Sequence, residues 1–360
     1  MSNVITMSQV SELADLKLKA IAKRVLSTLQ VETEKSVAHF AEPGSYPLAA
    51  DPQSVEQIML ARFRSLNPTK QQAAVVRAMA SVKANPAQRK TLYGDLGELN
   101  LKTATTIEAQ VKALTFPATL KLPAGYLQTH SALHGQVLVP QPVIPPSPGG
   151  LTPQQTTTKL EFRVHRVRCV DETNPEWAGD DEIALGGISV DETGDTKKIA
   201  EFMVRNDFDD GEQKIYAPPK QFTWFSLTEG TTWPKSYAVT LVLAEKDMGG
   251  LGDFINKLWQ KIKSKVLEAV AAAIGAAIGS TVPGLGTIVG GIVGWVLAKF
   301  IDWLIGLFQD DVFKPVTLST SIPSLSARWP GNKTDSPEGE VRFRGYGGEY
   351  RLVYDWRMFA

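Results

Sequence analysis

A chain of 360 residues with 43% hydrophobic and 21% charged residues has a soluble globular composition, and its length suggests two or three domains. Its 38 basic side chains balance its 38 acidic ones, which argues against a dedicated nucleic-acid-binding protein. The single cysteine excludes an intramolecular disulfide framework and any zinc site built from several cysteines. No basic segment followed by an apolar run opens the chain, so we expect no signal peptide.

Residues 1–134 are predicted to form a helical domain. Apolar residues recur there at a spacing close to 3.6, with Lys and Glu between them, which is typical of amphipathic helices. Asn67 followed by Pro68 has the form of an N-cap with proline at the first helical position. The predicted helices are Ser8–Ala38, Pro52–Ser65, Pro68–Val82 and Thr103–Leu114.

Residues 135–157 are predicted to form a linker, because six prolines and the pair Gly149-Gly150 disfavour both helix and central strand. From residue 158 the pattern changes to a period of two, which predicts half-buried strands separated by turns. Short strands at this spacing indicate an antiparallel sandwich over 158–360. The predicted strands are Leu160–Val170, Glu182–Val190, Lys198–Val204, Gln221–Leu227, Ser236–Ala244, Lys314–Ser319, Glu340–Arg344 and Glu349–Arg357.

The segment 251–310 interrupts the sandwich with helical, apolar and glycine-rich sequence. Thirty consecutive residues, Ala269–Ala298, carry no Asp, Glu, Lys, Arg or His, whereas about 20 apolar residues suffice to span a bilayer as a helix. Pro283-Gly284 divides the run into two arms. We therefore expect the α+β class: an N-terminal helical domain, then an antiparallel β-sandwich that carries an inserted apolar helical hairpin.

Glycines recur at every fourth position on both arms, which lets helix backbones approach closely in lipid. Tryptophans near the base of the hairpin suit a membrane interface. The residues predicted to enter the membrane are Gly275, Gly279, Pro283, Gly284, Gly286, Gly290, Gly294, Trp259, Trp295 and Trp303.

The run Gly275–Gly294 resembles the glycine-zipper segments of membrane-permeabilising bacterial peptides and of hairpin pore-forming toxins. This resemblance implies a soluble protein that inserts a hairpin into a target membrane and forms a pore. Because no signal peptide is visible, we expect synthesis in a bacterial cytoplasm followed by release or injection. The resemblance also implies a lipid membrane as partner and a homo-oligomer after insertion. Since no catalytic constellation is present, we expect a pore-forming toxin or effector and no enzyme.

Two other interpretations of the hairpin remain open. It could be a helical pair buried in a soluble protein or docked into a larger assembly, which would make the chain a non-enzymatic interaction or cargo protein. It could also be a constitutive membrane anchor, although the mean hydropathy of −0.10 and the position inside a domain disfavour this.

Fourteen carboxylates lie between residues 171 and 212, and several of them fall in loops between the predicted strands of the sandwich. Calcium takes six to eight oxygen ligands from such loops, and C2-type membrane-binding domains resemble this arrangement. A solvated acidic surface explains the same cluster without a metal, and a hydrolase using these carboxylates is the last alternative. The candidate ligands for Ca²⁺ are Asp180, Asp181, Asp207, Asp209 and Asp247.

Overall fold

A computed structural model describes residues 5–13, 15–129, 133–137, 156–173, 181–193, 195–230, 233–245, 251–275, 285–308, 313–345 and 347–360. The described chain has the predicted α+β class, with N-terminal helices, two antiparallel sheets and an inserted helical hairpin. The helices are α1 Leu16–Ala41, α2 Val55–Arg64, α3 Pro68–Val82, α4 Pro86–Tyr93, α5 Ile107–Ala113, α6 Tyr126–Thr129, α7 Leu251–Ile274 and α8 Leu285–Phe308. The strands are β1 Thr6–Leu13, β2 Leu133–Val137, β3 Lys159–Asp171, β4 Asp181–Val190, β5 Thr196–Phe208, β6 Gln213–Ser226, β7 Lys235–Glu245, β8 Val316–Ile322, β9 Gly339–Gly345 and β10 Gly348–Phe359.

The ten strands form a six-stranded sheet, in the order β2-β1-β8-β7-β4-β5, and a four-stranded sheet, in the order β6-β3-β10-β9. All eight strands predicted after residue 158 are present, most with ends shifted by a few residues, but the strand predicted at Gln221–Leu227 begins eight residues earlier, at Gln213. Strand β3 shows the physical reason, because its side chains alternate between buried and exposed as the period of two predicted. The inner faces of the two sheets share an apolar core that includes Phe162, Leu241 and Trp356.

The hairpin is inserted in the connection between β7 and β8, as predicted, and the structure adds that these two strands are neighbours in the six-stranded sheet. Strands β7 and β8 pair antiparallel, with Lys235 opposite Ile322 and Leu241 opposite Val316. Helices α7 and α8 lie between them in the chain and return it to the adjacent position in the sheet. The hairpin can therefore be present without altering the order of the sandwich.

The predicted helix over Ser8–Ala38 is wrong at its start. Residues Thr6–Leu13 form strand β1, which pairs antiparallel with β8 and with β2. The helix begins at Leu16, after Asp15, whose carboxylate accepts hydrogen bonds from the N–H groups of Lys17 and Leu18 at 2.9 and 3.0 Å. Pairing with a distant strand thus overrides a local helical spacing, and α1 runs on to Ala41.

The other predicted helices are confirmed, and their starts are set by side-chain caps. The hydroxyl of Ser54 and the side-chain oxygen of Asn67 accept hydrogen bonds from the first turns of α2 and α3. The predicted linker 135–157 differs in part, since its first three residues belong to β2. Residues 138–155, which carry its proline-rich sequence, lie outside the described residues.

Three layers result: the four-stranded sheet, the six-stranded sheet and a helical layer on the outer face of the latter. One apolar core joins α1, α2 and α3 to the hairpin and to outward-facing residues of β4 and β7. The N-terminal residues 1–134 thus share this core with the hairpin and contribute β1 and β2 to the sheet. This arrangement places the hairpin between the sheet and the N-terminal helices.

Candidate functional site

The hairpin of α7 and α8 is the candidate functional site, and α8 is its most apolar part. Within the described residues, Ile288–Phe308 is the one helical stretch that is long and apolar enough to cross a membrane. Of this stretch, 72% is buried inside the protein. Helix α8 packs against the six-stranded sheet on one side and against α1 and α3 on the other. We call this arrangement the closed form.

The predicted tip of the hairpin falls largely outside the described residues. Gly279, Pro283 and Gly284 lie there, so their prediction stays a prediction. Gly275 follows the end of α7 with a φ of +69°, a conformation that glycine adopts without a steric penalty. Gly286 lies in the first turn of α8.

Gly290 and Gly294 lie on the face of α8 that contacts the six-stranded sheet. A Cβ atom at Gly290 would lie 3.1 Å from Cγ1 of Val190, and one at Gly294 would lie 3.2 Å from Cγ2 of Thr317. The absence of side chains therefore lets α8 approach β4 and β8 closely. The spacing that predicted helix association in lipid serves contact between a helix and a sheet in the closed form.

Replacing Gly290 by valine is expected to destabilise the protein by about 1–3 kcal/mol, because the added methyl groups would overpack against Val190. Gly306 on the same helix is the matched control, since a Cβ there would meet no atom within 4 Å. We expect Gly306→Val to change the free energy of unfolding by no more than about 0.5 kcal/mol. Urea unfolding of both variants measures the difference, and equal effects would contradict the close contact.

The three tryptophans of the hairpin are core or near-core residues in the closed form. Trp259 and Trp295 are buried. Trp303 is half-buried and stacks on Phe300, with 5.7 Å between the ring centroids. A position of these side chains at a membrane interface is therefore a prediction about an inserted state.

Residues 16–129 cover the hairpin, and we call them the cover. The cover caps both arms at their C-terminal ends, where helical carbonyl groups lack partners within the helix. The N–H of Leu122 donates a hydrogen bond to the carbonyl oxygen of Ala273 at 2.8 Å, at the end of α7. The guanidinium of Arg77 donates to the carbonyl oxygens of Gly306 and Leu307 at 2.9 and 3.1 Å, in the last turn of α8.

A third attachment is formed by Glu32 of α1, Glu108 of α5 and Lys265 of α7, which we call the charge cluster. The ammonium of Lys265 donates hydrogen bonds to carboxylate oxygens of Glu32 at 2.7 Å and Glu108 at 3.2 Å. Lys265 is 8% exposed and Glu32 is fully buried. Because a buried charge is tolerated only when it is paired, each member of the cluster depends on the others.

The two carboxylates of the charge cluster have opposite pKa shifts. Burial raises the pKa of Glu32 to about 7, against the opposing charge of Lys265 and with the help of the nearby Glu56 carboxylate. Burial would also raise the pKa of Glu108, but the charges and hydrogen bonds of Lys265 and Lys112 outweigh it and lower the pKa to about 2. Near neutral pH, Glu108 therefore carries the negative charge that faces Lys265, while Glu32 is partly protonated.

These shifts predict how the stability of the closed form depends on pH. The raised pKa of Glu32 contributes stability that grows as pH falls from about 7 to 4.5, its ordinary pKa. The lowered pKa of Glu108 contributes stability that is lost as pH falls from 4.5 to about 2. We expect the Glu32→Gln variant to lose the first dependence and Glu108→Gln to lose the second. Urea unfolding across this pH range measures both, and unchanged pH profiles in both variants would contradict the assignment.

A cavity of about 300 Å³ lies beside the charge cluster, between α1, α5 and α7. Its apolar wall includes Leu114, Phe116 and Ala269. On its rim the ammonium of Lys112 lies 3.2 Å from a carboxylate oxygen of Glu268. The contact between α5 and α7 thus includes ion pairs at the rim of an open space.

The second half of α1 organises the cover. Its residues 31–38 are all buried, although five of them are polar or charged. The ammonium of Lys35 donates a hydrogen bond to the backbone carbonyl oxygen of Thr105 at 2.8 Å. The hydroxyl of Ser36 donates one to the backbone carbonyl oxygen of Glu56 at 2.9 Å. These buried polar contacts tie α1 to α2 and to the loop before α5, so α1 cannot leave the hairpin without carrying its neighbours with it.

The predicted calcium ligands do not assemble in the described residues. Asp181 is buried at the start of β4 and accepts hydrogen bonds from Thr173 and from the hydroxyl of Tyr350. Asp207 is exposed and pairs with Arg205, with 2.9 Å between Oδ1 and Nε.

Asp209 is also exposed, and its N–H bonds to the carboxylate of Glu212. Asp180 and Asp247 lie outside the described residues. No group of three His, Cys, Asp or Glu side chains in the described part of the chain could hold a metal ion. Calcium binding therefore stays a prediction.

The attachments of the hairpin were not predicted from the sequence. The one available signal was Lys265, which lies at the edge of the apolar face of α7 and apart from its exposed polar side chains. Its partners Glu32 and Glu108 lie on two helices that are distant in the chain. Comparisons with protein families, curated proteins and solved structures find no match to this chain. The description of the site therefore rests on the contacts given above.

Proposed function

We propose that this protein is a membrane-active, pore-forming toxin or effector that inserts the hairpin 251–310 into a target bilayer, with no enzymatic activity. Helix α8 carries the proposal, because it is apolar enough to span a membrane and is stored under a cover of polar-surfaced helices. The uncharged run Ala269–Ala298 extends this character across the tip of the hairpin. We further propose synthesis in a bacterial cytoplasm and release or injection toward the target.

Helix α8 is compatible with two environments and incompatible with water. In the closed form its apolar side chains are buried against the sheet and the cover. In a bilayer they would face hydrocarbon, and the helix would keep its backbone hydrogen bonds. Exposure to water would cost about 25 cal/mol for each Å² of apolar surface. A cover that opens only at the membrane resolves this conflict.

The glycines of α8 can serve both states in turn. In the closed form Gly290 and Gly294 accommodate Val190 and Thr317. Once α8 leaves the sheet, the same face becomes free for close packing against another helix in lipid. This reuse supports the proposed homo-oligomer of inserted hairpins, with a lipid membrane as partner and no role for nucleic acid.

Release of a trapped dye from liposomes tests the proposal. The purified protein, shown to be folded by circular dichroism, is added to vesicles with and without anionic lipid at neutral and acidic pH. Release supports pore formation. Folded protein that releases no dye under any of these conditions would overturn it.

One observation favours a second candidate, a soluble interaction or cargo protein in which α8 is simply a core helix. Helix α8 is largely buried, and Gly290 and Gly294 contact the sheet closely. These two facts explain the apolar sequence and the glycines of α8 without a membrane. In that case the protein would neither bind vesicles nor release dye. Cosedimentation with liposomes separates the two candidates, because only the pore former is expected in the lipid fraction.

A further inference from the structure

The two arms of the hairpin differ sharply in charge. Helix α8 between Ile288 and Phe308 has two charged residues, Lys299 and Asp302, which are opposite in sign and one turn apart. The last 20 residues of α7, Ile255–Ile274, are as long as a membrane span. They carry four lysines and one glutamate, namely Lys257, Lys261, Lys263, Lys265 and Glu268. The whole of α7 also contains Asp253, so its net charge is +2, whereas α8 is balanced.

The lysines of α7 lie mostly away from its contact with α8. Buried apolar side chains, among them Leu258 and Ile262, form the face of α7 that joins the common core with α8. Lys257 is exposed on the opposite side and Lys261 is partly exposed beside it. No described side chain forms an ion pair with Lys257, Lys261 or Lys263, and Asp253, four residues before Lys257 in the chain, is not among the described side chains. The closed form already presents Lys257 to water, with Lys261 and Lys263 partly exposed on either flank of α7.

We infer that α7 lines the pore and that the pore selects small inorganic anions over cations, an inference that rests on the proposed function. The apolar contact between the two arms can persist after insertion if α8 faces the lipid and α7 faces the lumen. The reverse orientation would place several lysines in hydrocarbon, which is strongly unfavourable. Rings of lysine in a lumen favour anions by electrostatic attraction.

Release of the cover leaves a neutral pair of charges at the centre of α7. In the closed form Lys265 is paired with Glu32 and Glu108, and Glu268 is paired with Lys112. After release, Lys265 and Glu268 remain on the same helix, one turn apart, where they can pair with each other. The net charge of the lumen is then set by Lys257, Lys261 and Lys263, reduced by Asp253 near the start of α7.

Single-channel recording in planar bilayers under a KCl gradient tests the inference. The reversal potential is expected to show a chloride permeability several times that of potassium, since a charge lining a water-filled lumen favours its counter-ion by about fivefold. The variant Lys257→Glu/Lys261→Glu should make the pore prefer potassium. Because Lys257 is exposed and Lys261 partly so, both substitutions should leave the closed fold intact.

The matched control is Lys23→Glu/Lys102→Glu, which makes the same change in net charge at exposed positions of the cover. We expect this control to keep the anion preference of the wild type. A cation-selective wild-type pore, or a selectivity that ignores the α7 variant, would overturn the inference and leave pore formation standing. The absence of any conductance from folded protein would overturn both.

Discussion

Replacing Ala298 by aspartate is expected to lower the rate of dye release by about a hundredfold. Ala298 is the central residue of the stretch Ile288–Phe308. A carboxylate at the centre of a membrane-spanning helix costs about 2.5–3.5 kcal/mol on insertion. The nearby Lys299 cannot offset the new charge fully, because adjacent residues point to different sides of a helix.

The closed form should tolerate the same substitution, since Ala298 is partly exposed in α8. We expect the free energy of unfolding to fall by no more than about 1 kcal/mol, the usual helix-propensity penalty of aspartate. Ala298→Ser is the matched control, because it adds polarity of similar size without charge and should keep most of the activity. Equal dye release from the aspartate variant and the wild type would show that this part of α8 does not enter the hydrocarbon.

The strands of the sandwich could be predicted because each of them has a recognisable local sequence pattern. Strands such as β3 and β10 alternate apolar and polar residues, and turn residues separate them, so each could be located from its own sequence. The hairpin was predictable for a related reason: thirty residues without a charge contrast with everything around them. Its place between β7 and β8 followed from the strand-like sequence that resumes at Lys314.

Strand β1 was not predictable, because what makes it a strand lies about 300 residues away in the chain. Its apolar spacing continues the helical pattern of α1, and only its pairing with β8 shows its conformation. The sequence carries no local sign of that pairing. The role of Arg77 could not be predicted for the same reason, because its hydrogen bonds to the last turn of α8 join positions separated by more than 200 residues.

The meaning of the glycines was predicted only in part. Their spacing indicates that another backbone or side chain approaches α8 closely, and this is confirmed at Gly290 and Gly294. Spacing alone cannot tell whether the neighbour is a helix in lipid or a strand of the same protein. The ion pair between Lys265 and Glu32 could not be predicted either, because Glu32 lies in a polar stretch of α1 whose sequence resembles a solvent-exposed helix surface.

Replacing Lys265 by methionine is expected to destabilise the closed form by about 3–5 kcal/mol at pH values above 7, where Glu32 is ionised, because it leaves this fully buried carboxylate without its partner. The double variant Glu32→Leu/Lys265→Met should recover most of this loss, since apolar side chains of similar volume replace the buried pair. Glu108 stays paired with Lys112 in both variants, with 2.8 Å between the charged atoms. Urea unfolding of Lys265→Met, Glu32→Leu and the double variant measures the coupling energy, which would be near zero if the cluster did not hold the cover to α7.

The same three proteins also distinguish how the cover acts at a membrane. If the charge cluster holds a pore-forming hairpin closed, Lys265→Met should release dye faster than the wild type, and the double variant should return toward the wild-type rate. If α8 is only a core helix, the single variant should lose stability and aggregate without affecting vesicles. Stability and dye release would then be unrelated, whereas the proposed mechanism requires that the least stable cover gives the fastest release.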